Sequence, residues 1–505
     1  LPSFDFINAD GWAMLLPSAA MIAVVGYVES ISVAKVLAFR RRERIDPDRE
    51  LLALGGANLA AAFAGAMPVA GERPSVEWPG KGKGMARTPT GKVVFGHAAS
   101  VGSLPTDFTY QRLQHPSGEA LTRVIHTSLF QGKLHVIGAF ADGSQHLFYD
   151  GVRISDANAP PTVAGSENPT ATMTHVQKAW VTAGPLLFGS AVGDATDHGA
   201  GGGVGEVVHD LSTHAEGSED LVGMARYGEY LAIFAEKVIQ VWFLDPDPDL
   251  DGGTPQILRN TGSLSARAIT EFGDNDIFYL SRSGLRSLRA RDSSNSAATT
   301  DIGSPIDPIL IDEVIETLTE DEVARAIGII EPRDGRYWLI VKDRIFVFSH
   351  FKEAKVSAWS DYAPGFAISD AFVAGGTVWL RSDDTIYTYG GTGQKLQYSS
   401  DTQAEVWLPY LDGDEPAVEK EITGVDAAAR GTWEARLALD PLNEDASDKV
   451  ATFVDSTFAG GRFDAMGTFF QASLRFTARA PKSATQPARL SSAILHFTRS
   501  QGDDA

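Results

Sequence analysis

The sequence predicts an all-β protein, with a β-propeller-like domain, a C-terminal β-sandwich or platform domain, and a short apolar helical segment ahead of both. Three observations predict this fold. Short apolar strands separated by tight polar turns recur over residues 120–395 without intervening helices. The strands become longer after residue 395, and the 505 residues suffice for more than one domain. Small sheets that repeat in this way bury their faces best against one another, as in a propeller.

The first segment, residues 1–67, differs in composition from the remainder. Residues 51–71 carry no charge and could cross a hydrocarbon core of about 30 Å as a helix. Residues 68–119 follow as an extended boundary segment, since GERPSVEWPGKGKGMARTPTG is rich in Gly, Pro and Lys and has no strand or helix period.

Hairpins dominate residues 120–395. Examples are KLHVIGAFADGSQHLFYDG, YLAIFAEKVIQVWFLDPD and RYWLIVKDRIFVFS. In the last of these, Tyr337, Leu339 and Val341 share one face of a strand whose other face is also apolar. We therefore expect this hairpin to be packed on both sides.

One helix is predicted among these strands. Thr319 and Glu322 have the spacing of a capping box, with apolar residues at helical spacing on both sides of the pair. Residues 396–505 then read as longer alternating strands, such as GTFFQASLRFTARA, which predict the C-terminal β-sandwich.

The charge balance limits the possible partners. Lys and Arg total 43 against 65 Asp and Glu, a formal net charge of -22 that repels phosphate and anionic lipid. A sequence-reading nucleic-acid binder is disfavoured, and duplex DNA should bind weakly. The absence of cysteine excludes disulfides and thiolate sites.

The candidate sites for chemistry are weak. The segment from Gly84 to Lys92 has Ala86 and Val93 where a phosphate-binding P-loop needs Gly and Ser or Thr. The glycine run at 199–205 lacks the strand and helix of a dinucleotide site, and the histidines lack zinc-site spacing.

An acidic turn supplies the one metal candidate. Asp247, Asp249 and Asp251 have the offsets that open a calcium loop, but Leu258 stands where its bidentate Glu belongs. The alternative is a solvated turn. We expect no cofactor and no enzymatic activity, with a propeller-type binding protein or glycan-processing enzyme as the alternative.

Residues 68–500 contain, in order, segments that resemble the tail nozzle or tail-hub proteins of short-tailed bacteriophages. They are VEWPGKGKGMARTPTG, LVGMARYGEYLAIFAEKVIQVWFLDPDPDL, LRNTGSLSARAITEFGDNDIFYLSRSGLRSLRARD, IIEPRDGRYWLIVKDRIFVFSHFKEAKVSAWSDYAPGF and ARLSSAILHFT. The resemblance implies a structural virion protein made in the host cytoplasm. It implies a homo-oligomer, six copies in a ring, that contacts portal, adaptor and tail-fibre proteins and passes genomic DNA without reading it. No membrane is expected for residues 68–505.

A compact basic cluster precedes the hairpins. Lys81, Lys83, Arg87 and Lys92 lie within twelve residues. On the nozzle interpretation these residues contact a neighbouring subunit or the adaptor; the alternative is a solvated linker.

Residues 1–70 resemble a different family, the sulfate permease family of anion transporters. LLPSAAMIAVVGYVESISVAK and LAFRRRERIDPDRELLALGGANLAAAFAGAMPV carry the likeness, which ends where the nozzle likeness begins. We therefore expect residues 1–67 to be foreign or misjoined. The alternatives are a membrane anchor and a fragment of an anion transporter.

Overall fold

The fold is described from a computed structural model. The described residues are 82–89, 91–96, 108–113, 119–141, 143–152, 154–157, 168–198, 206–214, 219–245, 252–273, 276–290, 297–351, 356–383, 385–389, 403–413, 415–443, 446–459, 461–479 and 488–499. They form two compact units: a propeller unit within Val69–Ser349 and Trp359–Gln397, and a C-terminal unit whose main part lies within Tyr398–Ala505. The apolar helical segment predicted at residues 1–67 lies outside the described residues.

The described part of the propeller unit consists of seven small sheets, each built from strands that follow one another along the chain. The first three sheets contain β1 Gly82–Arg87, β2 Lys92–Gly96 and β3 Phe108–Arg112; β4 Arg123–Phe130, β5 Lys133–Phe140, β6 Gly143–Tyr149 and β7 Ile154–Asp156; and β8 Pro169–His175, β9 Lys178–Ala183, β10 Leu186–Gly189 and β11 Val207–Asp210.

The other four sheets continue the same order. They contain β12 Leu221–Tyr227, β13 Tyr230–Ala235, β14 Val238–Phe243 and β15 Gly252–Arg259; β16 Thr270–Glu271, β17 Asp276–Ser281, β18 Gly284–Ala290 and β19 Ala297–Asp301; β20 Ile327–Glu331, β21 Arg336–Val341, β22 Arg344–Phe351 and β23 Val356–Tyr362; and β24 Asp370–Ala374, β25 Thr377–Ser382 and β26 Thr385–Thr388.

Neighbouring sheets share apolar cores. β21 shows how: Tyr337 and Leu339 pack into the core shared with the preceding sheet, while Trp338 and Ile340 pack into the core shared with the following one. The hairpin predicted to be buried on both faces is thus confirmed. Each sheet is held by the hydrophobic effect on two sides.

The seven sheets close into a ring. The first strands β1, β4, β8, β12, β16, β20 and β24 lie next to one another in this order, and β24 in turn lies next to β1. Met85 and Val94 of the first sheet share a buried core with Phe372 and Ile386 of the seventh. The predicted β-propeller-like domain is confirmed, and its described part has seven blades.

The ring includes strands from a segment for which the sequence predicts no blade. Residues 68–119 were expected to be an extended boundary, yet β1, β2 and β3 supply the closing blade from within them. β1 and β2 form an antiparallel hairpin, and β3 joins β2 in parallel after a long connection. Because β3 pairs with β2 non-locally, the sequence of this segment shows no local hydrophobic period that would predict the blade.

The predicted helix is present but short. Thr319 caps α1, Glu320–Val323, with a reciprocal bond from Glu322, so the capping box is confirmed. A π-helical turn, Ile309–Val314, and a 3-10 turn, Ile315–Thr317, precede it. An N-cap needs extended backbone, and Thr319 has φ -71° and ψ 156°. The two preceding turns therefore cannot continue into α1 as one helix.

Other helical turns in the described part of the chain are brief. They are the 3-10 turns Leu211–His214, Ala266–Ala268 and Thr457–Ala459. Within the described ranges, no helix has both the length and the apolar character needed to cross a membrane.

The C-terminal unit is a β-sandwich, as predicted. One sheet has the order β27-β32-β29-β30 and the other β31-β28-β33. Trp433, Val425 and Phe476 lie in the core of the unit. The strands are β27 Gln403–Trp407, β28 Lys420–Arg430, β29 Thr432–Ala438, β30 Asp448–Val454, β31 Thr468–Phe469, β32 Ser473–Arg479 and β33 Arg489–Arg499.

Candidate functional site

A cavity of about 490 Å³ opens at one end of the propeller ring. Its lining comes from residues at or just before the starts of first strands and from turns between second and third strands, which lie at the same end of each blade. Of the described residues that line it, six are cationic and two are acidic. The cations are Lys83, Arg123, Arg267, Arg325, Lys342 and Arg381, and the acids are Glu322 and Asp383.

Arg267 is held by the most buried ion pair of the site. The Arg267 guanidinium donates to the Asp370 carboxylate at 2.5 Å and to the Ala371 carbonyl at 2.7 Å. Asp370 is 1% exposed and also accepts a 2.6 Å bond from the Met85 amide. One carboxylate therefore joins β1, β24 and the turn before β16.

Two further arginines share a single carboxylate. Arg325 pairs with Asp321, and Arg123 reaches the same side chain at 3.6 Å. Burial lowers the pKa of Arg123, Asp321 raises it, and the neighbouring charges of Arg325 and Arg267 lower it again. The guanidinium keeps its proton in proteins, so these arginines repel one another.

Lys342 and Glu322 form the third pairing, at 2.9 Å. The Thr319 amide and the Lys342 ammonium bond to Glu322 and lower the pKa of its carboxyl to about 2. Lys83 makes no ion pair with any other residue whose position is described. Positive charge thus exceeds negative charge in the cavity, although the whole chain carries -22.

A histidine cluster lies elsewhere in the ring, between the second and third blades. His135 Nδ1 and His146 Nε2 are 3.0 Å apart, and the His198 ring is 6.2 Å from that of His146. Burial is the main cause that lowers the pKa of His135 and of His198 to about 4. No set of three potential ligands among the described residues is placed to bind a metal ion.

The predicted interface residues do not stay together. Lys83 lines the cavity, whereas Arg87 lies exposed at the other end of β1, beside the hairpin turn. Lys92 Nζ lies 5.0 Å above the Phe108 ring and 4.8 Å above the Trp379 ring, so it contributes to the closing core. Lys81 lies outside the described residues, as do the calcium candidates Asp247, Asp249 and Asp251.

The sequence alone does not indicate that the cavity arginines form a site. Arg123, Arg267, Arg325 and Arg381 are scattered over more than 250 residues, and none belongs to a motif. Their common feature is their position in a blade, since each lies beside the start of a first strand or at the end of a second strand. This shared position can be recognised only when the boundaries of the blades are already known.

Among the described residues, the C-terminal unit presents a long open strand edge. β33 has eleven residues and lies at the end of its sheet, paired on one side with β28. Ile494 and Phe497 of this strand are 43% and 40% exposed. Open edges that carry apolar side chains are templates for pairing with another chain.

The comparisons with known proteins divide at the start of the propeller unit. Residues 1–73 match the sulfate permease family. Over 72 residues, 14% of this chain, the sequence is 39% identical to probable sulfate transporter 4.2 of Arabidopsis thaliana and covers 11% of it. It is 38% identical over 73 residues to the putative sulfate transporter YvdB of Bacillus subtilis, 14% of each chain. The chain spans only about a tenth of the length of the first curated relatives it matches.

Solved structures are similar to parts of the chain at low sequence identity. YCF48 from Cyanidioschyzon merolae is 12% identical, with 64% of this chain and 98% of that chain covered and a TM-score of 0.37. Virginiamycin B lyase from Staphylococcus aureus is 13% identical, with 53% and 83% covered and a TM-score of 0.33.

Proposed function

We propose that this propeller protein is a non-enzymatic structural component of a bacteriophage tail, a nozzle whose copies form a ring. The ordered segments over residues 68–500 that resemble tail nozzle proteins support the assignment. The structural observation that carries it is the open edge of β33, because a nozzle subunit must present surfaces for copies of itself.

The edge suits pairing with a second copy of this chain. Antiparallel pairing on one side leaves every second residue of β33 with backbone groups directed outward. Ile494 and Phe497 add apolar area that loses water on contact, at about 25 cal/mol per Å². The net charge of -22 suits a channel through which DNA slides, since an acidic protein repels phosphates within a Debye length of about 8 Å.

Light scattering and mass photometry of the full chain test assembly. We expect a closed oligomer, six copies on the nozzle interpretation, that Ile494→Lys and Phe497→Lys reduce to monomer. Thr432→Lys, at an exposed position on the inner strand β29, is the matched control and should leave the oligomer intact. A wild-type chain that stays monomeric up to high concentration, alone and with adaptor protein, would refute the proposal.

Imaging of the virion tests the location. Antibody against residues 120–390 should label the short tail in negative stain, and label on the capsid alone would contradict a tail role.

A second candidate is favoured by the basic cavity. Propellers bind small ligands at one end of the ring, and the cavity volume falls in the range of about 300–1,000 Å³ typical of ligand sites. A ligand-binding propeller without a structural role predicts a monomer whose β33 variants behave as the wild type. The same scattering measurement therefore separates the two candidates.

A further inference from the structure

We infer that the cavity at the end of the propeller ring binds a small ligand that carries two or more anionic groups, carboxylate or phosphate. This inference goes beyond the tail role and does not depend on assembly, because every lining residue belongs to the propeller unit of one chain.

The charge of the cavity is the first argument. Among the described residues, six cations line the cavity and four carboxylates accompany them. Glu322 and Asp383 line the cavity, and Asp321 and Asp370 pair with its arginines, Asp321 with two of them. The balance is therefore positive in a chain whose overall charge is strongly negative. Field lines concentrate in a recess with low-dielectric walls, so an anion gains more there than on an open surface.

The type of cation is the second argument. Four of the six are arginines, whose planar guanidinium groups match the geometry of carboxylate and phosphate oxygens. Arg267 and Arg123 are partly buried, with side chains 22% and 29% exposed, and are held in place by Asp370 and Asp321. Cations that are already oriented lose little conformational entropy when a ligand arrives.

The arrangement of the remaining cations is the third argument. Arg325 has a side chain 55% exposed, and Lys83 has no ionic partner among the residues described, so both can turn toward a ligand. The cavity thus combines fixed arginines with two adjustable cations. A ligand with a single charge would leave part of the set unused, which is why we assign at least two anionic groups.

Isothermal titration of the full-length chain with citrate and with pyrophosphate tests the inference. We expect one of these probes to bind in a 1:1 ratio at low salt and more weakly as salt rises. Binding of citrate alone assigns carboxylates, and binding of pyrophosphate alone assigns phosphates. Failure of both probes to bind would overturn the inference.

Variants show whether the cavity is the site. Lys83→Gln combined with Arg325→Gln should weaken binding at least tenfold, a change of about 1.4 kcal/mol. Arg87→Gln combined with Arg333→Gln removes the same charge from exposed positions outside the cavity and should change binding less than twofold. Equal loss in both double variants would overturn the assignment by showing a nonspecific charge effect. Far-UV circular dichroism checks that both double variants retain the fold.

Discussion

Replacing Asp370 with alanine is expected to open the propeller ring at its closing seam. The Asp370 carboxylate is 1% exposed and accepts bonds from the Arg267 guanidinium at 2.5 Å and the Met85 amide at 2.6 Å. These donors belong to the turn before β16 and to β1, while Asp370 begins β24.

The expected cost follows from the burial of the partners. Removing one member of a buried ion pair costs about 3–5 kcal/mol, and the 22% exposure of the Arg267 side chain places this pair at the lower end. The Met85 amide, left without an acceptor, adds about 1 kcal/mol. We therefore expect about 4 kcal/mol for Asp370→Ala and about half of that for Asp370→Asn, which keeps one acceptor oxygen.

Guanidinium unfolding followed by tryptophan fluorescence measures this cost, and hydrogen exchange locates it. Peptides from β1 and β24 should lose protection before those from β12–β15. Asp312→Ala is the control, since Asp312 is exposed and has no ion pair among the described residues; it should change stability by less than about 0.5 kcal/mol.

A double-variant cycle completes the test. If Asp370 and Arg267 act as a pair, Asp370→Asn with Arg267→Gln should cost less than the sum of the single changes. Additive costs, or an Asp370→Ala midpoint equal to that of Asp312→Ala, would refute the role of this carboxylate in ring closure.

Three further outcomes are expected. First, burial lowers the pKa of His135 and His198 to about 4 in the folded protein. Their pKa in the unfolded chain is near 6.5, so below that pH the unfolded chain binds more protons than the folded one. The free energy of unfolding should therefore be highest above pH 6.5 and fall by up to about 1.4 kcal/mol per pH unit for each histidine as the pH drops toward 4. Melting temperatures between pH 4 and 8 should show the drop, and His198→Asn should flatten it; an unchanged slope would contradict it. Second, the buried Lys420 ammonium donates to the Glu415 and Val418 carbonyls at 2.6 and 2.7 Å. Lys420→Met should therefore destabilise the C-terminal unit by about 2 kcal/mol, measured as faster amide hydrogen exchange in β28. Exchange at the wild-type rate would contradict this prediction. Third, a Cβ at Gly262 would lie 2.2 Å from the Ala235 carbonyl oxygen, so Gly262→Ala should cost about 2 kcal/mol in thermal unfolding. Gly375→Ala, at a turn with positive φ but open space around it, should cost less. Equal costs would show that the close approach does not matter.

The sequence allowed prediction of those parts of the fold that local patterns determine. The hairpin at 336–351 could be read because its two apolar faces alternate within one strand, and Thr319 and Glu322 mark a helix start within four residues. The blade built from β1, β2 and β3 could not be read, because β3 pairs with β2 across a long connection and the GKGMAR strand has glycines where apolar residues are usual.

The candidate site could not be predicted from local sequence patterns for a related reason. Met85 and Asp370 are 285 residues apart, and the cavity cations come from equally distant parts of the chain. The compact cluster around Lys83 was recognisable as basic, but pleated strand geometry places Lys83 and Arg87 at opposite ends of β1, about 13 Å apart. Proximity in sequence was therefore misleading, and only ring closure creates the site.

The seam between the first and seventh blades also determines when the protein can finish folding. A ribosome that adds about 5–20 residues per second needs roughly 15–60 s to travel the 285 residues from Met85 to Asp370. During that interval Val94 and Phe108 have no partner for the face that Phe372 and Ile386 later cover. A neighbouring nascent chain can offer the same three-stranded sheet, β24–β26. Two copies made close together therefore compete with each chain's own seventh blade for this position. The spacing of ribosomes on the message is thus a physical variable in whether the ring closes on itself or exchanges a blade with its neighbour.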